Sequence, residues 1–322
     1  PKAIPWSHST PIKAAMDAYF HQDVHSGDVV CWPTNLGWMM GPWLIYGSLI
    51  NGAAMALFDD VPTGRAFGEF VELVGVTMLG VVPSLVSAWR ATDCMEGLDW
   101  DAVRLFSSTG EVSRPDDMRA LSALAGGRAV IEYCGGTEIG GGYITSSITH
   151  PWHPSTFTTP ALGLDIAIVD PEGSPSSEGE VFLRPPSVGM STEILNANHH
   201  DIYYAGVPRP GLRRHGDRFL RTSQGYEALG RNDDAMNLGG IKVSSAEVEA
   251  VVRDVDGVAD AAAVGVSEPG GGPDRLVAFV ILSAGEEADS GRLREEIQAA
   301  LKEQVNPLFK GVAYTDLRAH EA

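Results

Sequence analysis

Short apolar runs, punctuated by glycine, proline and polar clusters, set the rhythm of residues 1–221. Residues 29–32 and 76–82 read as buried strands, since each run is brief and bounded by turn formers. Between them, residues 42–56 are small and apolar on all sides, the pattern of a helix buried in an α/β layer. Further strands are predicted at 102–107 and 128–133, each running into a polar or glycine-rich turn. From residue 162 the texture becomes β-rich: runs at 164–169 and 179–183 flank Asp170-Pro171-Glu172-Gly173, a hairpin signal. The expectation is an α/β domain with ligand loops at strand ends, where open sheets bind small molecules.

A boundary is predicted near residues 230–234, dividing the chain into 1–231 and 232–322. Beyond it a strand pair around 235–243 leads into a helix that starts at Ser244 or Ser245. Ser244 and Glu247 have capping-box spacing, in which hydroxyl and carboxylate each satisfy a free amide. Val248, Val251, Val252 and Val255 form one apolar helical face. Strands at 261–266 and 276–282 follow, joined through Gly270-Gly271-Gly272. A last helix at 292–305 repeats Leu293, Ile297, Leu301 and Val305 every fourth residue. This part is predicted as a small α+β unit.

Composition refines this picture little. A 322-residue chain with 44% hydrophobic and 20% charged residues has the makeup of a soluble globular protein and the length for two domains. No apolar run is long enough to span a bilayer; the richest, 38–49, is broken by Gly41, Pro42, Gly47 and Ser48. No secretory signal opens the chain, so a cytoplasmic location is expected, or a peroxisomal matrix in a eukaryote. A net charge of −19 disfavours nucleic acid and anionic membranes as partners. Cys31, Cys94 and Cys134 form no CxxC pair, which points to a reducing compartment and no zinc site. Nothing in the pattern sets the oligomeric state.

Four motifs carry candidate chemistry. Tyr133-Cys134-Gly135-Gly136-Thr137-Glu138 follows a predicted strand. Its glycines permit close backbone approach to a ligand, its hydroxyl can meet a phosphate, and its carboxylate can hold Mg²⁺. Ser107-Ser108-Thr109-Gly110-Glu111 also follows a strand, and Arg214-His215-Gly216-Asp217 offers a carboxylate suited to ribose hydroxyls. Gly230-Arg231-Asn232-Asp233-Asp234 precedes Gly239-Gly240-Ile241-Lys242. Each alone is no more than a polar turn. His199 and His200 precede Asp201 without a third ligand at metal spacing, and read as structural.

In this order and spacing the motifs resemble those of the adenylate-forming superfamily: acyl-CoA synthetases, luciferases and peptide-synthetase adenylation domains. Cys31-Trp32-Pro33-Thr34-Asn35-Leu36-Gly37-Trp38-Met39-Met40, Met78-Leu79-Gly80-Val81-Val82-Pro83-Ser84 and Asn198-His199-His200-Asp201 are similar to the acetyl-CoA-synthetase-like branch, notably plant peroxisomal acyl-activating enzymes. The resemblance runs from Pro1 to about Phe309. It implies the C-terminal part of a large AMP-binding domain, then a small mobile domain. It also implies ATP, Mg²⁺, coenzyme A and a carboxylic acid as cofactors and substrates.

By position, the resemblance implies that Gly110, Glu111 and Val112 lie along adenine, with Tyr133, Cys134 and Gly136 enclosing it. Thr137 would contact phosphate, Glu138 would hold Mg²⁺, and Asp217 with Arg231 would grip the ribose. Trp38, Met39 and Gly135 would wall the acyl pocket. Acetate-specific relatives carry tryptophan at the Gly135 position, so glycine is expected to leave space for a larger acid. Asp233 would be the hinge, Gly239 and Gly240 would line the coenzyme A tunnel, and Lys242 would be a catalytic cation.

The resemblance also sets departures. A phosphate loop is expected before Pro1-Lys2, and a Pro-Arg-Thr-x-x-x-Lys segment after Lys310; neither is present. Negligible adenylation by this chain alone is therefore expected. The alternative to an acyl-CoA synthetase piece is a non-catalytic nucleotide- or acyl-adenylate-binding protein derived from the same fold. A peptide-synthetase domain fits less well, since no carrier-protein segment follows.

Overall fold

The computed structural model describes residues 2–170, 172–231, 235–238, 241–266, 275–282, 290–307 and 313–316. It divides into two compact units, Pro1–Asn232 and Asp233–Ala322.

The first unit begins with α1 (Ser9–Phe20), β1 (Val29–Cys31), α2 (Met40–Ile50) and β2 (Ala54–Ala56). It continues through α3 (Arg65–Leu73), β3 (Met78–Val81), α4 (Pro83–Thr92), β4 (Leu105–Ser108), α5 (Pro115–Leu124), β5 (Val130–Gly136), β6 (Gly141–Thr145) and β7 (Thr159–Pro160). The seven strands form one sheet in the order β2-β1-β3-β4-β5-β6-β7. Strands β1 to β5 pair in parallel, whereas β5–β6 and β6–β7 are antiparallel.

Strand periodicity sorts the sheet's two faces. Val30, Met78, Leu105, Ile131 and Tyr133 join Ala14, Ala18, Trp43 and Leu44 of α1 and α2 in one buried cluster. Cys31, Leu79, Val81, Phe106 and Val130 join Phe67, Val86, Trp89, Met118 and Leu121 of α3, α4 and α5 in the other. Both α4 and α5 start on proline, where the missing amide would be an orphan anyway.

The helix predicted across 42–56 is shorter than expected. It ends at Ile50, and Ala54–Ala56 instead extends the sheet beside β1. Gly52 takes φ +74°, and Asn51 Nδ2 donates to the carbonyls of Gly47 and Ala15 at 2.8 and 2.9 Å, which terminates the helix. Composition alone hid this break, because the residues on both sides of it are small and apolar.

The unit closes with β8 (Asp165–Val169), β9 (Glu178–Arg184), α6 (His199–Tyr203), β10 (Arg213–Arg221) and β11 (Tyr226–Arg231). The strands form an antiparallel sheet ordered β11-β10-β9-β8. The 164–183 hairpin forms with Asp170 at its turn, where Ser174 donates to the Asp170 carboxylate at 2.7 Å. His199 and His200 sit in α6, capped by Asn198, and His199 Nε2 lies 3.1 Å from the Ser191 carbonyl.

In the second unit, β12 (Ala235–Leu238) pairs with β13 (Ile241–Ser244), which leads into α7 (Ser245–Arg253). Then come β14 (Val258–Val266), β15 (Arg275–Leu282), α8 (Ser290–Gln304) and β16 (Ala313–Asp316). Val248 and Val252 of α7, Ile297 and Leu301 of α8, and Ala278 and Val280 of β15 share its core. Strand β16 pairs in parallel with β15 and has too few apolar residues to be foreseen. Gly270, Gly271 and Gly272, like Asp233, Gly239 and Gly240, lie outside the described residues. So do the side chains of Arg231, Lys242 and Glu247.

Candidate nucleotide site

The turn that bears Thr137 and Glu138 is the bend of a hairpin. Strand β5 runs on through Gly136 instead of stopping at Tyr133, and pairs antiparallel with β6 across a bulge at Cys134–Gly135. Alternation along β5 points Tyr133 and Cys134 to opposite faces. Tyr133 is buried in the α1–α2 cluster, and its hydroxyl donates to Asp17 Oδ2 at 2.7 Å. Its expected place around adenine is therefore corrected: the ring serves the core. Cys134 faces the other way, its Sγ 3.5 Å from Asp217 Oδ2 and 3.3 Å from the Tyr143 hydroxyl.

Gly135 is corrected as well. A Cβ there would collide with the Gly141 carbonyl and come within 2.7 Å of the Gly142 Cα. Glycine is needed for the strands to approach, and it opens no space for an acyl chain. A Cβ on Gly136 would meet Glu138 Oε2 at 2.7 Å and His215 Cε1 at 3.1 Å, so this glycine lets the Glu138 carboxylate fold back over the hairpin.

Glu138 is surrounded by cations. Its Oε1 lies 3.7 Å from Lys2 Nζ and 3.9 Å from His215 Nδ1, and its side chain is 12% exposed. Burial alone would raise its pKa. Attraction from His215, then Lys2, the turn's own backbone and Arg213 overrides that and lowers it to about 2. Arg213 is fully buried, stacks 3.7 Å over the Tyr203 ring and donates to Ser191 Oγ at 3.3 Å. The Ser191 amide in turn donates to the Glu138 carbonyl at 2.7 Å.

His215 links this turn to Asp217, with Nε2 3.4 Å from Asp217 Oδ2. The Tyr143 hydroxyl donates to the same oxygen at 2.5 Å, and burial pushes that phenol's pKa well up. Arg214-His215-Gly216-Asp217 lies within β10, whose pairing with β9 is interrupted between Arg214 and Arg218. Asp217 sits in register with Arg231 of β11, so the backbones of the two residues expected to grip ribose are paired across adjacent strands.

A cavity of about 440 Å³ adjoins this strand pair. Glu111, Val112, Ser113 and Pro115 wall one side, residues 153–157 another, and Gln224, Glu227 and Ala228 a third. The Phe157 and Tyr226 backbones exchange hydrogen bonds of 2.9 and 2.7 Å, which ties the second wall to the third. The Glu111 carboxylate is already engaged, accepting from the Ser84 amide and hydroxyl at the start of α4 at 2.8 and 2.9 Å. It therefore caps a helix while Glu111 and Val112 remain in the cavity wall. Ser113 Oγ donates to Glu132 Oε1 at 2.7 Å, and burial raises the Glu132 pKa to about 7.

The structure thus brings Cys134, Gly136, Glu138 and Asp217 together, with Glu111 and Val112 in the adjacent cavity. Met39 is buried in the α1–α2 cluster, and Trp38 is partly exposed just before α2. Sequence reasoning assigned no role to His215, Glu132 or the cavity walls at 153–157 and 224–228. Only His215, inside a motif already singled out, carried a signal. Among the described residues no group of three or more His, Cys, Asp or Glu can hold a metal ion. Glu138 is a lone ionised carboxylate, which suits Mg²⁺ only where substrate phosphates complete its shell. No described helix is long and apolar enough to cross a membrane.

These features can be set beside known proteins. A sequence model of the AMP-binding enzymes matches residues 1–191, and one of the AMP-binding enzyme C-terminal domain matches 247–316. Hexanoyl-CoA synthase of Cannabis sativa is 47% identical, over 96% of this chain and 45% of that protein. The probable peroxisomal acyl-activating enzyme 17 of Arabidopsis thaliana is also 47% identical, with the same coverage. The solved acetoacetyl-CoA synthetase of Streptomyces lividans superposes with a TM-score of 0.67 at 27% identity, over 98% of this chain and 50% of that one. The chain spans less than half the length of the plant relatives. Motifs, fold and family match agree: this chain belongs to the AMP-binding enzyme family.

Proposed function

We propose that the first unit holds the AMP moiety of an acyl-adenylate, within a protein that uses ATP, Mg²⁺ and coenzyme A to turn a carboxylic acid into its thioester. In that reaction the acid's carboxylate attacks the α-phosphate and pyrophosphate leaves. The thiol of coenzyme A then attacks the acyl carbon and AMP leaves. Both steps depend on positioning and on charge stabilisation. The observation that carries this reading is the His215 bridge: one imidazole lies against both Glu138 and Asp217, at 3.9 and 3.4 Å. It brings the Thr137–Glu138 turn and the Asp217 carboxylate side by side, beside a cavity of about 440 Å³ that is roomy enough for a purine base.

In this reading the Gly110–Val112 backbone and Ala228 flank adenine, Asp217 and Arg231 take the ribose hydroxyls, and the Thr137 hydroxyl meets phosphate. Glu138 is the residue that would hold Mg²⁺, which would supply positive charge at the leaving group. The cations around Glu138 keep that carboxylate ionised for it. Lys242 is proposed as a further phosphate cation, Asp233 as a hinge, and Gly239 and Gly240 as the lining of a coenzyme A path. Trp38 and Met39 are proposed to border the acyl group. A peroxisomal location is proposed from the names of the two Arabidopsis thaliana relatives. Because the chain covers 45% of those relatives, nucleotide holding is assigned to it and full thioester formation to a chain of their length.

Equilibrium dialysis with labelled AMP tests the reading. Saturable binding with one AMP per chain, weakened about thirtyfold in Asp217→Ala, supports it. Absence of saturable binding to the folded chain contradicts it.

A further inference from the structure

Outside the nucleotide site, the least expected feature of the first unit is a salt bridge with no access to water. Lys13 and Asp17 lie one turn apart on α1, each side chain 1% exposed, with Lys13 Nζ 2.5 Å from Asp17 Oδ1. Burying two charges is costly, and such pairs persist where further hydrogen bonds complete them. Here Asp17 Oδ2 accepts from the Tyr133 hydroxyl at 2.7 Å and from the Gly142 amide at 2.8 Å. Tyr133 lies on β5 and Gly142 on β6, so one carboxylate oxygen ties α1 to both arms of the hairpin whose bend carries Thr137 and Glu138.

The glycines explain how the helix comes so close. A Cβ on Gly140 would strike Thr10 Cγ2, and one on Gly141 would strike Asp17 Oδ2 and lie 3.2 Å from Lys13 Cγ. On Gly189 it would strike the Ile139 carbonyl and lie 2.6 Å from Lys13 Cβ. Gly140 and Gly141 are therefore the imprint of α1 on the hairpin, whereas a Cβ on Gly142 would strike the Tyr133 ring. The segment leading into α1 adds a direct hold on the bend: Trp6 Nε1 donates to the Thr137 carbonyl at 2.9 Å. At the other end of α1, His21 accepts from the Leu162 amide at 3.1 Å, and its Nδ1 lies 3.2 Å from the Ser146 carbonyl.

We infer that Asp17, completed by Lys13, is a positioning residue: it fixes the hairpin so that the Thr137–Glu138 bend is set for the phosphate of the nucleotide. It touches no ligand itself. The inference rests on the AMP-holding reading and deepens it, because it separates phosphate recognition from recognition of base and ribose.

The experiment compares AMP with adenosine by calorimetry on the whole chain, with circular dichroism to confirm folding. The wild-type chain should bind AMP more tightly than adenosine. If it binds neither, or both equally, the underlying reading fails before any variant is made, and this inference fails with it. The Lys13→Met/Asp17→Leu double variant removes the charges and the acceptor while keeping bulk. It should lose about tenfold in AMP affinity, the worth of a lost charged hydrogen bond, with adenosine unchanged. Lys13→Met/Asp17→Asn keeps an acceptor for Tyr133 and Gly142 and should restore the AMP preference. Tyr133→Phe, the mildest change, should cost about threefold in AMP alone and serves if the first variant does not fold. Equal weakening of both ligands would show a merely structural pair and overturn the inference, as would a folded variant with unchanged AMP affinity.

Discussion

At its proposed base end the site is a cavity walled by three separate stretches of chain, at 111–115, 153–157 and 224–228, with Val112 52% exposed. At its proposed phosphate end it is one hairpin bend, with glycines wherever a neighbour presses in and the basic side chains of Lys2, Arg213 and His215 around a single carboxylate. A flat, neutral base needs surface and shape, which loops from several elements can supply. A charged phosphate needs fixed donors and a fixed field, which require a rigid mount and cost desolvation. Asp217 and His215 stand at the junction and belong to both ends.

The largest expected effect probes the base end. Burial, opposed by the Ser113 hydrogen bond, lifts the Glu132 pKa from 4.5 to about 7. The folded state therefore binds more protons than the unfolded chain in that window. Stability is greatest on the acid side and falls as pH rises from about 4.5 through about 7, by on the order of 3 kcal/mol. Glu132→Gln should flatten this limb of a urea-denaturation series, while AMP binding persists.

Next comes the phosphate end. Gly135→Ala should destabilise the fold by about 2 kcal/mol, since the added methyl meets backbone that cannot move aside cheaply. Chemical denaturation measures this. Tolerance of alanine would mean that the hairpin arms stand further apart than described.

At the junction, Asp217→Ala should weaken adenosine and AMP equally, by about 2 kcal/mol, as expected for loss of a charged acceptor. A loss confined to AMP would move Asp217 from ribose to phosphate. The smallest effect belongs to Glu138→Gln. With the carboxylate gone, Lys2, Arg213 and His215 lose their counter-charge, so Mg²⁺-free ATP should bind about threefold more tightly. The Mg²⁺ dependence of ATP binding should vanish, and fluorescence titration with and without the ion reads both.

Much of this was legible in the sequence because it is written locally. The 164–183 hairpin, the apolar faces of α7 and α8 and the glycine–threonine–glutamate bend each show within a few residues. What escaped depends on contacts distant in the chain. Gly135 looked like spare room, but the space is taken by Gly141 and Gly142, and only the pairing of β5 with β6 reveals this. Tyr133 was placed around adenine by the resemblance alone; on the strand it alternates away from Cys134 and into the core. Lys13 and Asp17 were assigned no role, since nothing near them announces that Gly142, 125 residues from Asp17, donates to the Asp17 carboxylate.

The account stands on one base, one ribose and one phosphate being held together by segments far apart in sequence. Hydrogen–deuterium exchange of the chain, with and without saturating AMP, tests this most directly. The prediction is simultaneous protection of residues 110–113, 134–138 and 215–231, with a common AMP midpoint and no change in α7 or α8. Protection of only one of the three segments, or midpoints that differ between them, would contradict a single shared site.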